Sequence, residues 1–163
     1  MVVQRIGVTG HMNLTASSVE LVRDDLRQAL QPLRQSGFVG VSCLARGADT
    51  IFAEVVLALG GALEVVLPCA GYGDAMVRPE HRSRFDELLR AAATVREMPF
   101  RRPGRDAYEA ANRYILNSCD RLIAVWDGLS AERRGGTGAF VVEARARHVP
   151  VDVRWPAGAA RET

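Results

Sequence analysis

Short apolar runs and longer amphipathic stretches alternate along this chain from one end to the other. Few folds accept that order. A strand buried on both faces reads as an unbroken apolar run, and a helix lying over it shows apolar residues three and four apart. Their alternation is the pattern of parallel strands joined by crossover helices. The expected architecture is α/β: a three-layer α/β/α sandwich around a doubly wound, mainly parallel sheet of about six strands, ordered 3-2-1 on one side with the later strands on the other.

Strands are expected over residues 3–9, 38–44, 63–68, 121–126 and 149–155, with a short, weak one at 94–98 whose place stays open. The first is followed by a helix capped by Thr15 or Ser17 and running to about residue 36, with Val19, Val22, Leu26, Leu30 and Leu33 at helical spacing. Pro32 must bend or shorten it, because proline lacks the N–H of the ladder and its ring crowds the preceding turn. Further helices are expected at 49–59, 79–93 and 106–118, and another opened by Gly135-Gly136-Thr137-Gly138. The stretch 69–74 and the arginine-rich stretch 101–105 read as loops.

At 163 residues the chain suits one domain, taken as 1–156, with 157–163 as a flexible tail. Its longest apolar stretches are short and carry charge, which argues against a membrane span, and the strand pattern begins too early for a leader, so the expected location is cytoplasmic. Cys43, Cys69 and Cys119 are widely spaced and read as buried free thiols, with no metal site expected. The chain contains no lysine, so its whole positive complement is arginine, the side chain suited to bidentate phosphate contacts. The formal net charge of +2 is small for a protein that binds nucleic acid through a broad basic face, so nucleic acid is not an expected partner.

In an open parallel sheet the ligand lies beyond the carboxyl ends of the strands, where strand order reverses. Three glycine-bearing turns fall on that edge: Thr9-Gly10-His11, Ala45-Arg46-Gly47-Ala48-Asp49 and Gly135-Gly136-Thr137-Gly138. Glycine lets backbone approach a ligand, and the free amides of a helix start attract phosphate. The three together point to a phosphate-bearing ligand. The dinucleotide fingerprint Gly-x-Gly-x-x-Gly is absent from the first turn, and a phosphate loop ending in Gly-Lys-Ser or Gly-Lys-Thr is impossible without lysine. An ordinary nicotinamide dehydrogenase and a kinase of the phosphate-loop type are thereby set aside.

Ser42-Cys-Leu-Ala-Arg-Gly-Ala-Asp49 resembles the Ser-Gly-x-Ala-Arg-Gly-Ile-Asp turn of the Smf/DNA-processing A proteins. Gly135-Gly-Thr-Gly138 with Glu143 resembles the Gly-Gly-x-Gly-Thr-x-x-Glu segment of the Lonely Guy phosphoribohydrolases. Both belong to the SLOG superfamily of Rossmann-like nucleotide-binding domains. The likeness, which includes Tyr108-x-x-x-Asn112 and residues 119–128, is nearest the bacterial branch related to the YpsA proteins. It implies a nucleotide as ligand with no cofactor required. It also implies phosphate contacts from Gly10, Arg46, Gly47, Gly135, Gly136 and Thr137, with Asp49 bracing the second turn, and a homodimer or higher homo-oligomer.

The hydrolase branch also uses an Arg-Lys pair and a glutamate to cleave a base from a ribose 5′-phosphate, and Arg101-Arg102 and Glu143 occupy comparable places. The match departs at Ala139 for threonine, Arg102 for lysine, Arg134 for proline, and a one-residue shift of Glu143. Several residues carry two readings. His11 is a phosphate contact or a structural loop histidine, and Glu143 a general base or the helical partner of Arg147. Arg101, Arg102 and Arg105 clamp a phosphate or form a solvated loop; Tyr108 and Asn112 flank a base or pack on the sheet. The leading expectation is a nucleotide-binding or sensing domain. The alternatives are an N-glycosidic hydrolase of nucleoside 5′-monophosphates, with Glu143 and Arg102 as catalytic residues, and a module that handles single-stranded DNA.

Overall fold

The computed structural model describes residues 3–129 and 136–163. Six strands form one all-parallel sheet: β1 (Gln4–Gly10), β2 (Phe38–Ser42), β3 (Ala62–Leu67), β4 (Thr94–Glu97), β5 (Arg121–Val125) and β6 (Val151–Arg154). Their order is β4-β3-β2-β1-β5-β6. The short strand whose place was open lies outside β3, with Thr94 opposite Glu64, and all four of its residues are exposed. That exposure is why its apolar signal is weak. Chain direction across the sheet reverses between β1 and β5, which makes the gap between their carboxyl ends the switch point.

The helices divide between the two faces. Helix α1 (Ala16–Leu30), α2 (Ala48–Ala58) and α4 (Pro79–Ala91) cover one face, where Leu26, Leu30, Phe52, Val56 and Phe85 pack against Ile6, Val8 and Val65. Helix α5 (Arg105–Ser118) and α6 (Thr137–Ala146) cover the other, around Ala111, Ile115, Phe140, Val41 and Leu122. Glu54 of α2 accepts ion pairs from Arg23 of α1 and Arg84 of α4, tying the first layer together.

Three details depart from the pattern. The first helix ends at Leu30, and Pro32 sits in a separate 3₁₀ turn, Gln31–Leu33, because an α-helix cannot continue through a residue with no N–H to give. A one-turn helix, α3 (Tyr72–Met76), stands where a loop was expected. The tail is also not free. Thr15 donates its N–H to the Ala160 carbonyl at 3.1 Å, Glu162 to the Asn13 carbonyl at 2.7 Å, and Leu14 and Arg161 form an antiparallel bridge. These are backbone bonds, which a side-chain pattern does not reveal. Among the described residues no helix is long and apolar enough to cross a membrane. All three cysteines are free, Cys69 fully buried and Cys43 and Cys119 half-buried.

Candidate functional site at the carboxyl edge of the sheet

Two of the three glycine turns pack against each other. The Ala48 N–H, at the start of α2, donates to the His11 carbonyl at 3.2 Å. Gly47 has φ of +82°, and a Cβ there would stand 2.6 Å from that carbonyl oxygen and 2.8 Å from the Met12 Cα. A Cβ on Gly10 would meet the Ala48 Cβ at 2.4 Å and the Val125 Cβ at 2.9 Å. The close approach that these glycines were expected to grant a ligand is therefore taken by the neighbouring loop, and one α2 amide is already used. Ser42 completes the turn: its buried Oγ donates to the Asp49 carbonyl at 3.0 Å and accepts from Leu44 N–H at 3.1 Å. Leu44, at φ +57°, is held in the left-handed region by that bond. Arg46 projects from the tip of the turn, exposed, and among the described residues no carboxylate lies within ion-pair distance of it.

At the switch point His11 bridges two loops. Its N–H reaches the Val125 carbonyl, and its Nε2 accepts the Asp127 N–H at 3.2 Å. Burial, aided by the positive charge of Arg161, holds His11 below the ordinary histidine range against the pull of Asp127. The neutral ring that results keeps Nε2 an acceptor. Trp155 contacts the ring edge-on at 5.6 Å. Burial alone would raise the Asp127 carboxyl, but the Leu129 N–H, His11 and Arg161 together bring it below its usual value.

Asp49 lies buried in the first turn of α2, where desolvation lifts its carboxyl to about 7 against an opposing hydrogen bond from Ala45. Burial, then the nearby Asp49, pushes the Cys43 thiol up. Tyr108 of α5 meets Tyr72 of α3 in a T-shaped pair at 6.2 Å. Tyr108 thus packs on an aromatic neighbour while retaining 36% of its surface.

The third turn is more open. Helix α6 makes its first helical bond from Phe140 N–H to the Gly136 carbonyl at 3.1 Å, so the amides of Thr137, Gly138 and Ala139 have no partner within the helix. Gly136 and Thr137 are half-buried, and Gly135 lies outside the described residues. Between α5 and α6 runs a groove of about 330 Å³, lined by Arg105, Glu109, Asn112, Arg113, Gly136, Ala139, Phe140 and Glu143. The spacing explains the lining: positions 105, 109, 112 and 113 share one face of α5, and 136, 139, 140 and 143 one face of α6. Glu143 is paired with Arg147 at 3.1 Å and half-exposed, the helical pairing that the spacing allowed. Thr9 lies on the same side of the sheet as Gly7, which sits under Ile115 of α5.

The structure therefore brings Asn112, Gly136 and Glu143 together in the groove, and Gly10, His11 and Gly47 together at the switch point. Arg102 stands exposed on the β4–α5 loop and does not line the groove with Glu143. Sequence reasoning missed Arg105 as a groove residue, together with Glu109, Arg113 and Phe140, although helical spacing from Asn112 and Glu143 marks them. It also missed Asp127, although that residue lies in the 119–128 segment of the likeness, and Arg161, for which the sequence carries no signal. Among the described residues no cluster of three metal-ligating side chains occurs.

No protein-family model matches the sequence, and no curated protein matches it. Solved structures do. DNA processing protein A from Helicobacter pylori, reported with a single-stranded DNA binding mode, superposes with a TM-score of 0.69 at 19% identity, covering 97% of this chain and 68% of that one. DNA processing protein A from Streptococcus pneumoniae gives 0.65 at 19% identity over 93% of this chain, which spans only 50% of its length. The molybdenum cofactor binding protein from the phototrophic bacterium Rippkaea orientalis gives 0.61 at 19% identity, covering 94% of this chain and 77% of that one. The first of these corrects the expectation that nucleic acid is not a partner. That expectation rested on net charge, a sum over the whole surface, whereas nucleic acid reads only the local field of one edge. Arg46, Arg101 and Arg102 are exposed on the carboxyl edge whatever the total. With helices on both faces of an all-parallel sheet ordered β4-β3-β2-β1-β5-β6, the chain has the Rossmann-like α/β fold of these solved structures.

Proposed function

We propose that this chain binds a phosphate-bearing nucleotide at the carboxyl edge of its sheet, with the phosphate at the first turn of α6 and the base and sugar in the groove between α5 and α6. The observation that carries the reading is the groove itself, which joins the helix-start amides of Thr137, Gly138 and Ala139, without a partner among the described residues, to Asn112, Arg113 and the Phe140 ring. Arg113 has no carboxylate partner among the described residues, so its charge is available to a ligand. The role is binding or sensing, because both carboxylates that line the groove are already ion-paired, Glu143 with Arg147 and Glu109 with Arg105, and neither is left as a free acid–base group with which to cleave a glycosidic bond. Calorimetry or thermal shift against AMP, ADP, ATP and NAD tests it: at least one stabilises the protein, and Asn112→Ala weakens that ligand by about tenfold, the worth of one or two hydrogen bonds. No stabilisation by any of them sinks the reading. Free base released from AMP and lost in Glu143→Ala would replace binding with hydrolysis.

A second reading, single-stranded DNA, is favoured by one feature. Arg46, Arg101 and Arg102 are exposed along one edge with no carboxylate partner among the described residues, and the partly exposed Tyr108 offers a stacking face beside them. Anisotropy titrations of a labelled oligothymidylate across a salt series decide it. Arg46→Ala and Arg102→Ala each reduce the slope of log affinity on log salt by about one if the reading holds. Unchanged slopes would dismiss these arginines as phosphate contacts.

A further inference from the structure

The segment beyond β6 crosses the very edge to which the ligand is assigned. It leaves Trp155 beside the His11 ring, turns at Gly158, whose φ is +89°, and runs antiparallel to the β1–α1 loop. The Ala160 N–H donates to Ser18 Oγ at 2.8 Å, and the Asn13 side chain donates to the Glu162 carbonyl at 3.1 Å. Past Trp155, which packs on the core, these polar bonds hold a largely exposed segment of small and polar residues, the composition of an element that opens at low cost.

Arg161 is the point where this strap touches the β5–α6 side. Its Nε donates to Asn13 Oδ1 at 3.0 Å, and its Nη1 reaches Asp127 Oδ2 only at 3.4 Å. Asp127 already serves the Leu129 N–H at 3.0 Å and borders His11 Nε2 at 3.2 Å. The Arg161 side chain is 40% exposed, and its Nη2 has no protein partner among the described residues. A cation so loosely held, fixed at Nε, at long reach at Nη1 and without a partner at Nη2 among the described residues, stands at the switch point between β1 and β5.

We infer that Arg161 is a ligand-binding residue. The strap formed by residues 157–163 carries it over the switch point, and it exchanges its long contact with Asp127 for a phosphate oxygen of the bound ligand. Asp127 is the resting partner that competes with the ligand for the guanidinium. This inference rests on the phosphate-ligand reading above and adds to it a residue and a closing element.

The test uses the full chain and isothermal titration with ADP and with inorganic pyrophosphate. Arg161→Ala weakens both by about tenfold, as expected for one lost charge-assisted bond, and Arg161→Lys recovers part of the loss. Asp127→Asn, which keeps the acceptor for Leu129 but releases Arg161 from a negative competitor, tightens both. Opposite signs in the two variants distinguish a ligand contact from a merely structural strap, which both substitutions would weaken alike. Equal affinity in the wild-type protein and Arg161→Ala, or tighter binding by the latter, overturns the inference and leaves the functional reading standing. Failure of the wild-type chain to bind any phosphate compound overturns both.

Discussion

Gly47 sits so close to His11 that a Cβ would lie 2.6 Å from its carbonyl oxygen, and that contact locks the β2–α2 turn onto the β1–α1 loop. Both opposing atoms are backbone and neither can move aside. Gly47→Ala adds a left-handed backbone penalty at φ +82° to this clash, and a loss of about 3 kcal/mol or more in urea denaturation is expected. A variant as stable as the parent would show that the two loops are not packed as described.

The contact between Gly10 and Ala48 makes a sharper test. Gly10→Ala is expected to cost about 1–3 kcal/mol through overpacking against the Ala48 Cβ at 2.4 Å. Removing that methyl as well, in Gly10→Ala with Ala48→Gly, recovers part of the loss although glycine weakens α2, so the double-mutant coupling is favourable. The remaining deficit reports the second neighbour, Val125, at 2.9 Å. Simple additivity of the two substitutions would refute direct contact.

Asp49 sets a slope in the pH dependence of stability. Burial raises its carboxyl from 3.8 to about 7, so the folded state holds a proton that the unfolded chain gives up. Its contribution is fully present below about pH 4 and is lost as pH rises to about 7, with an upper limit near 4 kcal/mol at about 1.4 kcal/mol per pH unit. Asp49→Asn keeps an acceptor for Ala45 and cannot ionise. Relative to wild type it gains stability between pH 5 and pH 8; parallel curves for the two proteins would rule out a raised carboxyl. His11 tilts the profile the other way. Its lowered value makes its contribution complete above the ordinary 6.5 and lost as pH falls below it.

Glu143 is half-exposed and its one ion pair, with Arg147, is solvated. Glu143→Ala should lower stability by less than about 1 kcal/mol, measured by thermal melting. A larger loss would mean that the groove side of α6 is more tightly built than its exposure indicates.

How far these features were legible in the sequence follows from what each depends on. Strands β1, β2, β3 and β5 are buried apolar runs and were read within a residue or two. Strand β4 is wholly exposed, so nothing in its side chains could say which neighbour it pairs with. Gly10, Gly47 and Gly136 were visible as places where a side chain is excluded, but sequence does not say what excludes it. At Gly10 and Gly47 it is the next loop, whereas Gly136 lines the open groove. Asn112 and Glu143 converge because α5 and α6 cover the same face, a consequence of topology. Arg161 escaped notice because its segment, Ala-Gly-Ala-Ala-Arg-Glu-Thr, has no periodicity, and it docks through backbone amides.

The order of strands also fixes when the site can exist. Strand β1 is first in the chain, yet its partner on the switch-point side, β5, begins at residue 121, where Arg121 pairs with Ile6. Until β5 arrives, β1 is an edge strand with unpaired amides and carbonyls, open to pairing with another chain. Closing a loop of more than a hundred residues is the slow kind of contact, and the ligand edge depends on it, whereas the pairings among β1–β4 join strands that follow one another in sequence. The crevice between β1 and β5 is thus where the two ends of the chain's history meet, and any change that weakens the Ile6–Arg121 seam exposes a strand edge at the ligand's own position.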